Sequence, residues 1–461
     1  MLNLPYNFIF GIAESDLQTV GSLYPQEKEN AQKTMWEEFA KKRKIDVPLY
    51  GSQKFKHYKE DGRLLNNLGV RGYRTSISMS RTIDKNGNVN KKAIKWYRSY
   101  LEGMKKHGVE IHLCLYHWEA PEIFAEQGVL DPRFHEYFLK HTDIVLDNFS
   151  DLVDYFIPMN EIWCMSFLSY FIGIHAPGYT NVEDFFKAFF TLIELQAKII
   201  RKIKKYDHTH KIGIVNIHFP SYIQEDHLHE KTYIKARNLA DNVTNFMYSD
   251  PFYIGAIHED LIKKFQSKFP VNFKNILRDA KCGESIDYYG VNYYNSQYIK
   301  PSRNDLGYEP VIPEGAMVNS LGWPISLLPH YPNGLTDILY AISQRYAGYG
   351  IQNLVVSENG TPLYTSYTED TPQDDFRIFI INEHIKQIQL AIQKGAPVTG
   401  YFLWTLLDNY EWQEGYKPES AFGIVAVNKK TGKRIPKKSY FWYQEFVNKF
   451  NSTYGRRIKL S

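Results

Sequence analysis

Short runs of β-forming residues recur through the whole chain, separated by segments of helical periodicity. The runs are FIFGIA (8–13), GYRTSIS (72–78), VEIHLCLY (109–116), DYFIPMN (154–160), KIGIVNI (211–217), IDYYGVN (286–292), LVVSEN (354–359) and TGYFLWTL (399–406). Between them, KKAIKWYRSYLEGMKKHG (91–108) and 182–207 carry apolar residues at three- and four-residue spacing, and 182–207 ends in Lys and Arg. Strands that alternate with helices form parallel βα units. Eight of them close a (β/α)8 barrel. An open doubly wound sheet is the rival, but it carries a glycine-rich phosphate turn after its first strand, and FGIAES has one Gly. The fold class expected is therefore α/β, a single (β/α)8 TIM barrel with long βα loops spanning 1–461 as one catalytic domain. The chain is 461 residues long and 43% hydrophobic, enough for a large core without a second domain. The longest inserts are expected after strands one, six and seven.

In such a barrel the chemistry sits at the C-terminal ends of the strands. Gln18 follows strand one, Arg74 lies on strand two, and His117-Trp118 end strand three. Asn160-Glu161 end strand four, Asn292-Tyr293-Tyr294 strand six and Glu358-Asn359 strand seven. Strand eight carries Trp404 and leads to Asp408, Glu411 and Trp412. Strand five alone offers nothing. Glu161 and Glu358 thus face each other across the barrel mouth. Paired carboxylates flanking a cleft are the minimum apparatus for cleaving a glycosidic bond: one donates a proton to the leaving oxygen, the other attacks or activates water. Their environments must split their pKa values. Arg74 is placed to hold one of them ionised, and Tyr294 to donate to the same carboxylate.

Other classes fit less well. A metal-dependent hydrolase needs clustered ligands, but the strand ends supply one His with Trp as neighbour, and no HExxH occurs. No cofactor is implied. Net charge is +4, spread over short runs such as KKRK (41–44) and KKTGKRIPKK (429–438) rather than one basic face, so nucleic acid is not an expected partner. Cys114, Cys164 and Cys282 form no CxxC pair, which fits a reducing cytoplasm. The first residues lack the basic and apolar regions of a signal peptide, and no apolar run reaches the length of a membrane span. The expected partner is a small-molecule or oligosaccharide glycoside. Self-association into a homo-oligomer is left open.

The ordered motifs resemble glycoside hydrolase family 1, the retaining β-glycosidases, from residue 8 to about 445. VSENG (356–360) resembles that family's nucleophile signature, MNEIW its acid/base signature, FIFGIAESDLQTVGS its N-terminal signature and YFLWTLLDNYEWQEGY its sugar-site segment after strand eight. YHW, HAPG, NYY and GW fall in matching order. The resemblance implies Glu358 as nucleophile and Glu161 as general acid/base, with Arg74 and Tyr294 tuning Glu358. It implies that Gln18, His117, Asn160 and Glu411 bind sugar hydroxyls and that Trp404 stacks beneath the ring. Trp412 would add a donor, Trp118 belongs to the same site, and Trp323 would line the aglycone side. A retaining mechanism asks for carboxyls about 5–5.5 Å apart.

The sequence departs from the pattern in two stretches with extra residues, GYKPESAFG (415–423) and GWPISLLPHYPNGL (322–335), and at four residues. Ile162 stands where Pro is usual, Met79 replaces a Trp, Val20 a Glu and Ala421 an Arg. These leave the carboxylate pair intact and open the question of aglycone preference. A transglycosylase or glycosyltransferase would use the same pair. A 6-phospho-β-glycosidase would need cations near the sugar O6, where Glu411 would repel phosphate and Lys417 is the one nearby cation.

Overall fold

The computed structural model describes residues 4–23, 32–265, 273–316, 318, 332–364, 366, 368 and 370–454. Eight parallel strands close a barrel: β1 (Ile9–Ala13), β2 (Gly72–Ser76), β3 (Glu110–Cys114), β4 (Tyr155–Ile157), β5 (Lys211–Ile217), β6 (Tyr288–Asn292), β7 (Leu354–Asn359) and β8 (Val398–Trp404). Each pairs with its neighbours in sequence, and β1 closes on β8 from Ile9↔Gly400 to Ala13↔Trp404. All eight runs read from the sequence are barrel strands. β4 is the shortest, yet Asn160 still bridges to Val215 on β5, so its polar end stays in the wall.

The helices follow the expected periodicity. Lys91–Lys105 begins at Asn90, whose side chain accepts from Ala93 N (3.2 Å). Val182–Tyr206 begins at Asn181, which accepts from Asp184 N (2.7 Å), and it ends with Lys204 and Lys205 at the negative pole of its dipole. Its apolar face, from Val182 through Ile203, is buried in the core.

Side chains fill the barrel rather than leaving a pore. His112 on β3 lies against Tyr155, Tyr288 and Phe402 from three other strands, with ring centroids 4.5, 5.5 and 4.9 Å away. Phe402 requires the glycines opposite it. A Cβ on Gly11 or Gly72 would sit 2.5 Å from its ring. Burial pushes the His112 pKa down to about 3, so this plug is a neutral imidazole.

Long segments follow β1, where helix Met35–Arg43 precedes the barrel helix Lys54–Leu68, and β6, where strands Gln297–Pro301 and Tyr308–Val311 form a hairpin. The expectation for strand seven is not met: only 360–374 separates β7 from helix Asp375–Gln393. The polar run after VSENG reads as a long loop, but the helix starts at once where FRIFII turns apolar. The segment after β5 is longer, running through helices Lys231–Asp241 and Phe273–Ala280 before β6. Among the described residues no helix is long and apolar enough to cross a membrane.

Candidate active site

At the end of β7 the register against β6 slips between Val356 and Glu358. Such a bulge re-aims a side chain at a barrel rim. Glu358 is buried there and accepts two hydrogen bonds: Arg74 Nη1 donates to Oε1 in a close ion pair, and Tyr294 Oη donates to Oε2 at 2.7 Å. Arg74 reaches across from β2, and its Nη2 donates to Asn160 Oδ1 (2.6 Å).

Glu161 lies where β4 turns away from the barrel. Its backbone φ is +54°, in the left-handed region that non-glycine residues rarely occupy, and its N–H donates to Val215 O (3.0 Å) on β5. Asn292 at the end of β6 donates through Nδ2 to Glu161 Oε1 (2.5 Å) and to Asn160 Oδ1 (3.1 Å). One hydrogen-bonded chain therefore runs Glu358–Arg74–Asn160–Asn292–Glu161, drawn from β7, β2, the end of β4 and β6. The two acids have different surroundings. Glu358 holds the guanidinium, whereas Glu161 has an amide and the Cys164 thiol (Sγ to Oε2, 2.9 Å). Burial, and then the charge of Glu358, push the Glu161 carboxyl up to about 8. Burial and the field of Glu358 likewise hold the Tyr294 hydroxyl well above its ordinary pKa, so it stays a donor.

Both carboxylates open into one cleft at the barrel mouth. Gln18, His117, Trp118, Tyr294, Trp404, Glu411 and Trp412 line it together with Glu161 and Glu358. Asn160 is fully buried just behind, its Nδ2 3.2 Å from His117 Nε2. Trp118 has a φ of +67° and donates its indole N–H to Asn160 O (3.0 Å), so it acts here as wall rather than donor. Its ring lies 4.7 Å from Trp412, and His117 lies parallel to Trp404 at 5.9 Å. Gln18 ties the floor to the β8 segment: its Nε2 donates to Tyr410 O (2.8 Å), and Tyr410 N donates back to Gln18 O (3.2 Å). His117 is kept neutral by burial and by Arg74, and its Nδ1 has no partner among the described residues. Burial, with Glu414 and Glu358, raises the Glu411 carboxyl to about 8. Trp323 lies outside the described residues.

Several wall residues escaped the sequence reading. Strand five is not silent: Ile217 and, just beyond it, Phe219 line the cleft. Trp163, Cys164, His175 and Phe422 do so as well. Trp163 and Cys164 lie two and three residues past Glu161, and proximity to the acid was the available signal. Asn292 was visible at a strand end, but its contact with Glu161 needed the fold. Among the described residues no group of three or more His, Cys, Asp or Glu is arranged to hold a metal ion.

Residues 2–452 match the model of glycosyl hydrolase family 1. The chain is 28% identical to a 1,4-beta-D-glucan glucohydrolase of Thermotoga neapolitana over 97% of its own length and 98% of that protein. It is also 28% identical to a 6-phospho-beta-galactosidase of Clostridium acetobutylicum, over 96% and 97% of the two chains. A solved beta-glucosidase from Thermotoga maritima in complex with deoxynojirimycin superposes with a TM-score of 0.88 at 28% identity, covering 98% of this chain and 99% of that one. With its closed eight-stranded barrel and a carboxylate at the ends of strands four and seven, this chain belongs to glycosyl hydrolase family 1 and is a retaining β-glycosidase.

Proposed function

We propose that Glu358 is the nucleophile and Glu161 the general acid/base in the hydrolysis of unphosphorylated β-glucosides or β-galactosides. The observation that carries this is the contrast between the two acids: one is paired with a guanidinium, the other is buried without a cation and raised to about 8. Glu358 attacks the anomeric carbon while the protonated Glu161 gives its proton to the departing oxygen. A covalent glycosyl-enzyme forms. Glu161, now a carboxylate, takes a proton from water, and the hydroxide equivalent releases the sugar. Arg74 and Tyr294 orient Glu358 and stabilise it as the leaving group of the second step. Gln18, His117, Asn160 and Glu411 read the sugar hydroxyls, Trp404 stacks beneath the ring, and Trp412 and Trp118 close the wall.

Lys417 supports the unphosphorylated reading, because it is exposed and pairs with Glu414 (2.6 Å) rather than lining the cleft. On the outer side Trp163, Phe167 and Phe171 stack in series with centroids 4.8 and 5.0 Å apart. They border a second cavity that shares Trp163 and Phe219 with the cleft. This favours an aryl or alkyl aglycone. The three free, buried thiols fit a reducing cytoplasm.

The test is Glu358→Gly assayed on aryl β-glucoside and β-galactoside, with and without azide or formate. Loss of turnover, restored by the anion with inversion at the anomeric carbon, supports the assignment. Near-wild-type activity of the variant overturns it.

A further inference from the structure

The acid/base must carry its proton on one particular oxygen, and the hydrogen-bond network identifies which. Ser357 Oγ donates to Asn292 Oδ1 (2.7 Å), which orients the amide so that its Nδ2 faces Glu161 Oε1 (2.5 Å) and Asn160 Oδ1 (3.1 Å). An amide nitrogen has hydrogens to give and no lone pair to receive one. Glu161 Oε1 is thereby held as an acceptor, and the proton of the neutral acid resides on Oε2. Cys164 Sγ lies 2.9 Å from Oε2, and Cys164 also lines the cleft.

We propose that Cys164 is a positioning residue of the acid/base cycle, its thiol fixing the oxygen of Glu161 that delivers and later recovers the proton. This rests on Glu161 being the acid/base. In the first step the Oε2–H bond breaks and the proton passes to the leaving oxygen. The bared Oε2 then accepts from the Cys164 S–H while the glycosyl-enzyme stands. In the second step water gives a proton to Oε2 and its hydroxide equivalent to the anomeric carbon, whose bond to Glu358 breaks and frees that carboxylate. Sulfur keeps its hydrogen throughout, and nothing is oxidised or reduced. A thiol suits this place better than an amide, because it rotates freely and both donates and accepts weakly. Burial and the neighbouring Glu161 hold the Cys164 pKa well above the ordinary thiol value, so it remains S–H.

The experiment is the pH profile of kcat/KM for Cys164→Val and Cys164→Ser with two substrates: phenyl β-glucoside, whose leaving group needs a proton, and 2,4-dinitrophenyl β-glucoside, whose leaving group does not. Loss of one donor to a buried carboxylate moves its pKa up by about half a unit to one unit. In Cys164→Val the basic limb for the phenyl substrate is expected to shift upward by that amount. Its kcat/KM at neutral pH is expected to fall several-fold further than that of the dinitrophenyl substrate. Cys164→Ser keeps a donor and is expected to keep the wild-type limb. An unmoved limb in Cys164→Val, or equal losses on both substrates, overturns the proposal and leaves the thiol as packing. Glu161→Ala run alongside separates this from the underlying assignment. If the basic limb disappears and azide yields a β-glycosyl azide, Glu161 is the acid/base whatever Cys164 does; if the limb persists in Glu161→Ala, both readings fall.

Discussion

Replacing Tyr294 by Phe removes a single hydroxyl that donates to Glu358 Oε2 at 2.7 Å, in a place where both residues are buried. A hydrogen bond to a charged group contributes about 1.5–3 kcal/mol. The Arg74 contact to the other oxygen remains, so Glu358 keeps its charge partner and the site keeps its shape. The cost is not shared evenly between the two chemical steps. With Glu358 as the proposed nucleophile, it loses negative charge as it attacks in glycosylation, so a lost donor weakens its hold on the rotamer while making the oxygen more nucleophilic; the two effects oppose. In deglycosylation Glu358 leaves as a carboxylate, and the donor strengthens as charge returns. The full loss falls there, and 1.5–3 kcal/mol corresponds to about 10- to 100-fold in rate. The assay is steady-state and burst kinetics with 2,4-dinitrophenyl β-glucoside, for which the second step limits turnover. In Tyr294→Phe, kcat is expected to fall 10- to 100-fold by that estimate, KM to fall with it, and kcat/KM to change much less. A full burst of dinitrophenolate should precede the slow phase. If kcat and kcat/KM fall together with no burst, the hydroxyl serves glycosylation or folding, and the reasoning that places it on the leaving carboxylate is wrong.

Three further outcomes are expected. The kcat/KM profile should lose activity as pH rises through about 8, because Glu161, the proposed acid, must be protonated to act, and Asn292→Ala should move that limb upward by removing a donor to its carboxylate. Glu411 is half-buried with its carboxyl raised to about 8, so its neutral form favours the folded state. That contribution is full below the unfolded value near 4.5 and is lost as pH rises toward 8; Glu411→Gln should therefore raise Tm relative to wild type at pH 8 and scarcely at pH 4.5, with a weaker KM for the sugar. On the outer side, Phe171→Ser should lower kcat/KM for octyl β-glucoside by about tenfold and for methyl β-glucoside far less, since only the longer chain reaches the stacked rings; equal losses on the two would refute an apolar aglycone channel.

Barrel and carboxylates were legible for one reason: both follow from local pattern. A parallel strand buried on both faces must be a run such as LVVS or KIGIV, and the polar residue that ends it has to emerge at the rim. Glu358 and Asn292 were visible in this way. Contacts that depend on backbone turning were not. Glu161 and Trp118 adopt positive φ, which no residue type at those positions announces, and that turn carries Trp163 and Cys164 to the cleft. Strand five looked silent because Ile217 is apolar, yet Ile217 lines the cleft together with Phe219, beyond the strand's last residue. Loop length misled for a similar reason: TPLYTSYTEDTPQDD is rich in turn formers, yet it spans a short connection.

The departures from the family pattern gain meaning from this geometry. Ile162 follows the positive-φ Glu161 and is buried in the core, where it is held by packing rather than by a fixed ring. The left-handed turn at Glu161 is instead fixed by hydrogen bonds: Glu161 N to Val215 O, Met165 N to Glu161 O (3.2 Å) and Ser166 Oγ to Ile162 O (2.8 Å). Ala421 lacks a guanidinium, but Arg377 from helix Asp375–Gln393 donates to the Ala421 and Phe422 carbonyls (2.9 and 2.8 Å), and Phe422 packs on Tyr294 with centroids 5.8 Å apart. The segment behind Glu358 is thus braced from a barrel helix rather than from its own sequence. Both substitutions leave the acids in place because the supports of each acid come from elsewhere in the wall. What they change is how firmly the turn after Glu161 and the segment at Phe422 are held, and residues of both segments line the cleft. Differences from other family members are therefore to be sought in the aglycone and in the balance of water against acceptor alcohols, not in the nucleophile or the acid.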